Sequence, residues 1–215
     1  MDKEFLDVDV KSRDFIFNLG QLFAQGKAIG VNNVGYVLKQ IQDEKAKGYK
    51  KSFNMMTLYW AINNLTADFS HISPDPKRVF LICPVRNATD EEKANLQRII
   101  EKYEGMGYLV HYPERDTNQN PFVSNTNTGG YNICLANARA IANAQTVVIY
   151  YNKSSVGSMF DVGVTYYLTK NNPNRKFIVE NEFDYDETNS IDQKIMELVN
   201  LTRDNLPDDQ ACPNV

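Results

Sequence analysis

Residues 146–163 of the chain read TVVIYYNKSSVGSMFDVG, and this stretch decides the fold class. Its first six residues form a short apolar run, as expected of a strand that is buried on both faces of a parallel sheet. The polar residues that follow lead into a predicted helix from about Ser158 to Thr169. A strand that passes through a short loop into a helix is half of a β-α-β unit, so this stretch predicts an α/β protein.

The same alternation extends over the whole region from Arg78 onward. We predict strands at Val79–Cys83, Tyr108–Tyr112, Thr146–Tyr151 and Lys176–Val179, with a helix after each. The predicted fold is a Rossmann-like or flavodoxin-like parallel sheet with helices on both faces. Because the carboxyl ends of parallel strands meet at one edge, a ligand is expected there, near a switch in strand order.

The first third of the chain has a helical rather than an alternating pattern. Apolar residues recur at helical spacing in 14–25 and 34–41, and 53–69 is a third helical stretch, before Ser73-Pro-Asp-Pro-Lys77 breaks any helix. We predict a helical N-terminal extension at 1–76, an α/β domain at 77–206 and a loose tail at 207–215. The extension could pack on the α/β domain, form a dimer interface or bind another molecule.

Composition excludes several classes of function. The 215 residues are 42% hydrophobic and 23% charged with a net charge of −4, which argues against disorder and against a nucleic-acid-binding protein. The longest apolar runs are too short to span a membrane, and the first residues, MDKE, show no secretory signal. Three cysteines without close pairs and two histidines give no disulfide framework and no structural zinc site. We expect a soluble, cytoplasmic protein without a metal.

The residues between the third strand and the next helix can carry chemistry. Backbone N–H groups at a helix N-terminus attract anions, so Ser155, Gly157 and Ser158 could hold a phosphate. Asp161 lies about one turn further on, where a carboxylate could attack a sugar anomeric carbon or stabilise an oxocarbenium ion. Ser158-x-x-Asp161 also has nearly the spacing of a capping box, which requires no function, and the pattern alone favours capping.

The longer pattern resembles a known family. An apolar strand followed by Ser155-x-Gly157-x-x-x-Asp161-x-Gly163 and a helix is similar to the nucleoside 2-deoxyribosyltransferase superfamily, which includes the 2′-deoxynucleoside 5′-monophosphate N-glycosidases. The resemblance covers roughly 78–179. It implies cleavage or exchange of an N-glycosidic bond, with Asp161 as the nucleophile and Ser155 as a contact to a 5′-phosphate. It also implies a homo-oligomer, a nucleoside or nucleotide substrate and no cofactor.

Two positions depart from the family pattern. The family usually has Glu where this chain has Asp161, and usually has an Asp on the preceding helix, where counting places Asn137. An amide cannot deliver a proton to the leaving base, although it could hydrogen-bond it. Asn137 is therefore either a catalytic residue or an ordinary polar residue on a helix. Two alternatives stay open: a non-catalytic nucleotide-binding or sensing module, and a glycohydrolase of another nucleotide such as a dinucleotide cofactor.

Other candidate ligand contacts follow the first two strands. Arg86 is a candidate for a bidentate phosphate contact, although Pro84 stands where the family has glycine. After the second strand, Arg115 could pair with phosphate and Asp116 could accept hydrogen bonds from sugar hydroxyls. The long polar loop at 113–130 could be a lid. His111, just before it, is as easily structural as catalytic.

Overall fold

The computed structural model describes residues 13–25, 69, 71–85, 88–117, 129–172 and 174–203. Arg86, most of the predicted N-terminal extension and the predicted tail at 207–215 lie outside these residues. The described elements, in chain order, are α1 (Arg13–Ala24), β1 (Asp75–Ile82), α2 (Asp90–Gly105), β2 (Leu109–His111), α3 (Pro113–Asp116), α4 (Gly129–Asn143), β3 (Ala144–Ile149), α5 (Val156–Asn171), β4 (Lys176–Val179) and α6 (Ser190–Arg203).

The described strands form one parallel sheet in the order β2-β1-β3-β4. This confirms the predicted α/β fold of the flavodoxin-like kind. The chain leaves β1 toward β2 and then returns to the other side of β1 with β3. The strand order therefore switches between β1 and β3, and the loops after these two strands border the place where such sheets bind ligands.

Alternate residues of β1 point to opposite faces and build two cores. Val79 and Leu81 belong to a cluster with the buried side of α2, while Phe80 and Ile82 belong to a larger cluster with α1, α4, α5 and α6. Helices therefore cover both faces of the sheet, as predicted. The strand is longer than the predicted Val79–Cys83 because its first four residues are exposed or half-buried, which leaves no apolar signal in the sequence.

Helix α2 begins at a capping motif. Thr89 is the N-cap, and it forms a complete capping box with Glu92: each residue's side chain accepts a hydrogen bond from the other's backbone N–H. The chain turns after the helix at Gly107, whose φ of 84° is in the left-handed region that favours glycine. One face of the helix is apolar and buried, through Leu96, Ile99, Ile100 and Tyr103.

Helix α1 packs directly on α5 through two glycines. A Cβ atom on Gly20 would lie 2.1 Å from the backbone oxygen of Phe160, and one on Gly163 would lie 2.0 Å from the backbone oxygen of Phe17. The two helix backbones are therefore in contact, with no room for a side chain at either glycine. The buried face of α1 belongs to the larger core, so residues 13–24 pack on the α/β domain.

Candidate active site

The N-terminus of α5 lies at the switch in strand order, directly after the loop that follows β3. Ser155 is the N-cap, but no side chain makes a capping hydrogen bond there, and Ser158 Oγ instead donates to Ser155 Oγ at 2.7 Å. Gly157 is exposed, and a Cβ atom on it would meet no described atom within 4 Å. The three predicted phosphate contacts, Ser155, Gly157 and Ser158, thus form one uncapped helix N-terminus.

Asp161 does not cap this helix. Helix α5 begins at Val156, so Asp161 is its sixth residue, too far inside to reach the free N–H groups of the first turn. The capping-box interpretation of Ser158-x-x-Asp161 is therefore wrong. It rested on a helix that started at Ser158, whereas the structure starts the helix two residues earlier.

The carboxylate of Asp161 is buried and sparsely paired. The residue is 6% exposed, and its two carboxylate oxygens lie 3.3 and 3.4 Å from Nδ2 of Asn137, which donates to them. Within the described part of the chain no cation pairs with this carboxylate. Burial raises the pKa of Asp161 from 3.8 to about 7, and the hydrogen bond from Asn137 opposes that rise.

Asn137 is turned toward Asp161 rather than toward open space. Its Oδ1 accepts a hydrogen bond from Thr117 Oγ1 at 2.9 Å, while its Nδ2 serves the carboxylate. Both ends of the amide are therefore engaged inside the protein, and the residue is only 7% exposed. The structure brings Asn137 and Asp161 together. The hydrogen-bond partner of the Asn137 NH2 group is this carboxylate, whereas the resemblance implies a contact to the leaving base.

The charge of Asp161 acts on two cysteines. Burial raises the pKa of Cys83, which directly follows β1, and the negative charge of Asp161 raises it further. Burial and then the charge of Asp161 do the same for Cys134 on α4. Both residues are neutral thiols at neutral pH, which makes them poor nucleophiles beside a carboxylate.

Arg115 and Asp116 are engaged with neighbours outside this cluster. The guanidinium of Arg115 donates to Asp116 Oδ1 and to Glu104 Oε1, each at 2.9 Å. Asp116 also accepts the backbone N–H of Tyr112 at 2.8 Å, which closes the single turn of α3. Among the described contacts, neither residue meets Asp161 or the N-terminus of α5 by hydrogen bond or ion pair.

Two hydrogen bonds of Asn152, which the sequence did not predict, hold the loop before Ser155. Asn152 Nδ2 donates to Glu92 Oε1 at 2.6 Å, and Asn152 Oδ1 accepts the backbone N–H of Ser154 at 2.8 Å. Glu92 thus accepts hydrogen bonds both from the N-terminus of α2 and from the loop after β3. Only the first role shows as a local sequence pattern, because the second joins residues that are 60 positions apart.

Three further observations bear on what the protein does. Among residues whose placement is described, no three His, Cys, Asp or Glu side chains gather as a metal-binding group. In the same residues, no helix combines the length and apolar character needed to cross a membrane. No protein-family model matches the chain, and comparisons with curated proteins and with solved structures also give no significant match. The resemblance to the deoxyribosyltransferase superfamily therefore stays a prediction.

Proposed function

We propose that this chain cleaves or exchanges the N-glycosidic bond of a nucleoside or its 5′-monophosphate, with Asp161 as the nucleophile. One observation carries the proposal: a buried carboxylate without a cationic partner in the described chain, beside the strand-order switch. A buried carboxylate that lacks a counter-charge costs stability, and such groups concentrate at functional sites.

The chemistry needs only this carboxylate and water or a second base. A carboxylate oxygen of Asp161 bonds to C1′ of the sugar as the C1′–N bond breaks, and the bonding electrons leave with the base. Water or another base then attacks C1′, and the carboxylate leaves. Asn137 has no acidic proton, so in this proposal the departing base takes its proton from water.

The pKa of Asp161 predicts a pH profile for this reaction. The nucleophile must be ionised, and burial holds its pKa at about 7 instead of 3.8. We therefore expect kcat/KM to rise with pH through about 7 and to level off above it. A rate that is already constant from pH 5 upward would contradict Asp161 as the group that must ionise.

The N-terminus of α5 supports a 5′-monophosphate over an uncharged nucleoside. Its unpaired N–H groups and the Ser155 hydroxyl suit an anion, and Gly157 leaves space above them. Ser155→Asp places a negative charge there. We expect it to reduce turnover of the monophosphate by at least tenfold while turnover of the matching nucleoside changes much less, with Ser155→Ala as the uncharged control.

A second candidate is a non-catalytic nucleotide-binding or sensing module at the same edge. Asn137 favours it, because its amide faces Asp161 and stands where the family usually has an Asp that acts on the leaving base. In this case Asp161 would contact a ligand without reacting, and binding would leave the glycosidic bond intact.

One assay separates these candidates. Purified protein and Asp161→Asn are incubated with a panel of nucleosides, their 5′-monophosphates and dinucleotide cofactors, and free base is measured by chromatography. Release by the wild type and at least a hundredfold less by Asp161→Asn supports the proposed reaction. Nucleotide binding by calorimetry without release from any compound supports the binding module. Release from a dinucleotide alone assigns the protein to that substrate class, and a new nucleoside on addition of a second base identifies exchange.

A further inference from the structure

A chain of four hydrogen-bonded side chains ends at the carboxylate of Asp161. His111 Nε2 lies 3.0 Å from Thr117 Oγ1, and Thr117 Oγ1 lies 2.9 Å from Asn137 Oδ1. Asn137 Nδ2 lies 3.3 Å from Asp161 Oδ2. His111 ends β2, Thr117 follows α3, Asn137 lies in α4 and Asp161 lies in α5, so the chain joins four parts of the domain.

The chemistry of these groups sets the direction of every hydrogen bond. Oδ1 of Asn137 carries no hydrogen, so the hydroxyl of Thr117 must donate to it. That uses the only proton of Thr117, and its oxygen can then only accept from His111. His111 must therefore carry a proton on Nε2, and each donor in the chain points toward Asp161.

We propose that Thr117 and His111 are positioning residues that hold the NH2 group of Asn137 against the carboxylate of Asp161. The inference rests on the proposed function only for the reacting role of Asp161. An amide can turn over with little change in shape, and the opposite orientation would set its oxygen against the carboxylate. Two acceptors repel each other. When Nε2 of His111 donates to Thr117, the Thr117 hydroxyl must donate to the amide, which sets the oxygen of Asn137 toward Thr117 and its NH2 group toward Asp161.

The far end of the chain is itself held in place. The ring of His111 stacks on Phe80, with centroids 5.2 Å apart and ring planes 14° from parallel. The same two residues are partners in the register of β1 and β2. Thr117 is 4% exposed, so water has little access to replace its hydrogen bonds.

Burial favours the neutral form of His111. Burial lowers its pKa, the charge of Asp116 acts to raise it, and the charges of Arg115 and Arg78 act to lower it. A neutral imidazole has one N–H group, and the chain requires that group at Nε2. At the other end, the charge of Asp161 acts on Cys83 and Cys134, which stay protonated at neutral pH.

The first experiment measures the titration of Asp161 without any substrate. Protein with ¹³C-labelled aspartate carboxyls is titrated by NMR, and the Asp161 signal is identified by its loss in Asp161→Asn. Thr117→Val keeps the shape of the side chain but removes the hydroxyl, so Asn137 no longer has a fixed orientation. We expect the pKa of Asp161 to rise by about half a unit to one unit, while Thr117→Ser leaves it within about 0.2 units.

The second experiment tests the chain from its far end. ¹⁵N NMR should show His111 as the Nε2–H tautomer in the wild type. His111→Gln retains an N–H donor and His111→Leu does not, so only His111→Leu should shift the titration of Asp161. If Thr117→Val does not fold, this pair still decides the question. Identical titration in the donor-retaining and donor-lacking variants, or an Nδ1–H tautomer, would overturn the proposal.

Base release in the same variants separates this proposal from the proposed function. If the wild type is active, the acidic limb of kcat/KM in Thr117→Val should move with the NMR pKa, and kcat should fall more than KM rises. A shifted titration in an inactive wild type would support the positioning role and refute the proposed reaction. An active wild type whose Thr117→Val variant keeps both the pKa and the pH profile would refute the positioning role alone.

Discussion

Replacing Asp161 by Asn should make the protein more stable at alkaline pH while it abolishes activity. Burial raises the pKa of this carboxyl from 3.8 to about 7, a difference of about 3 pH units. At about 1.4 kcal/mol per unit, ionised Asp161 lowers the free energy of unfolding by about 4 kcal/mol. The sign follows from proton binding: between these two pKa values the folded state holds the proton that the unfolded state has lost. Stability therefore falls as the pH rises from about 4 to 7.

The magnitude can be measured as a change with pH. Asp161 should lower the free energy of unfolding by about 2 kcal/mol at pH 5 and by about 4 kcal/mol at pH 8. The effect is smaller at pH 5 because Asp161 of the folded state is still mostly protonated there. An Asn at this position also leaves an amide donor without a partner, but that cost does not vary with pH. The stability of Asp161→Asn relative to the wild type should therefore increase by about 2–3 kcal/mol from pH 5 to pH 8.

Urea unfolding of both proteins at the two pH values provides the test. Asp184→Asn removes an exposed carboxylate and is the matched control, whose effect should stay within about 0.5 kcal/mol at both pH values. A pH-independent difference between Asp161→Asn and the wild type would refute the argument that burial sets this pKa. Full activity in Asp161→Asn would refute the proposed nucleophile, whatever the stability.

Three further substitutions test the packing that supports the site. Gly163→Ala should lower the free energy of unfolding by at least about 2 kcal/mol, because its Cβ would lie 2.0 Å from the backbone oxygen of Phe17. Gly105→Ala is the control: its Cβ would meet no atom within 4 Å, so it should be tolerated. Thermal unfolding of the two variants measures the difference. Thr89→Ala should cost about 1 kcal/mol in chemical denaturation, since it removes half of a capping box, and an unchanged midpoint would contradict that role. Arg175→Met should cost about 2–4 kcal/mol in the same assay, because the buried guanidinium donates to three backbone carbonyls at the end of α4 and the start of β3. A smaller loss than that of Thr89→Ala would mean that water takes over these hydrogen bonds in the variant.

The sequence predicts the fold well because local patterns determine it. Thr89 and Glu92 mark the start of α2, and the apolar run before Tyr150 marks β3, since a capping box and an apolar run are patterns of residues that are close in the chain. The start of β1 is less predictable because its first residues are exposed. Asn137 enters the predicted site only through the family resemblance, and the structure places its amide against Asp161.

The inner workings of the site are not visible in the sequence. Thr117 lies in a polar run that is typical of a solvent-exposed loop, yet it bridges two residues that are 6 and 20 positions away. The engagement of Arg115 with Glu104 is equally hidden, because it depends on how the single turn of α3 folds back. Contacts of this kind depend on side-chain orientation across several elements, which periodicity does not encode.

The glycine contact between α1 and α5 bears on fragment complementation. A piece of the chain that started at β1 would leave the backbone around Gly163 uncovered, because α1 packs there. Helix α1 would then behave as a separable plug, and a synthetic peptide of residues 13–24 could restore the fold when added in trans. Since α5 carries Asp161, the peptide would also report on the active site: its affinity and the recovered base release should saturate at the same concentration.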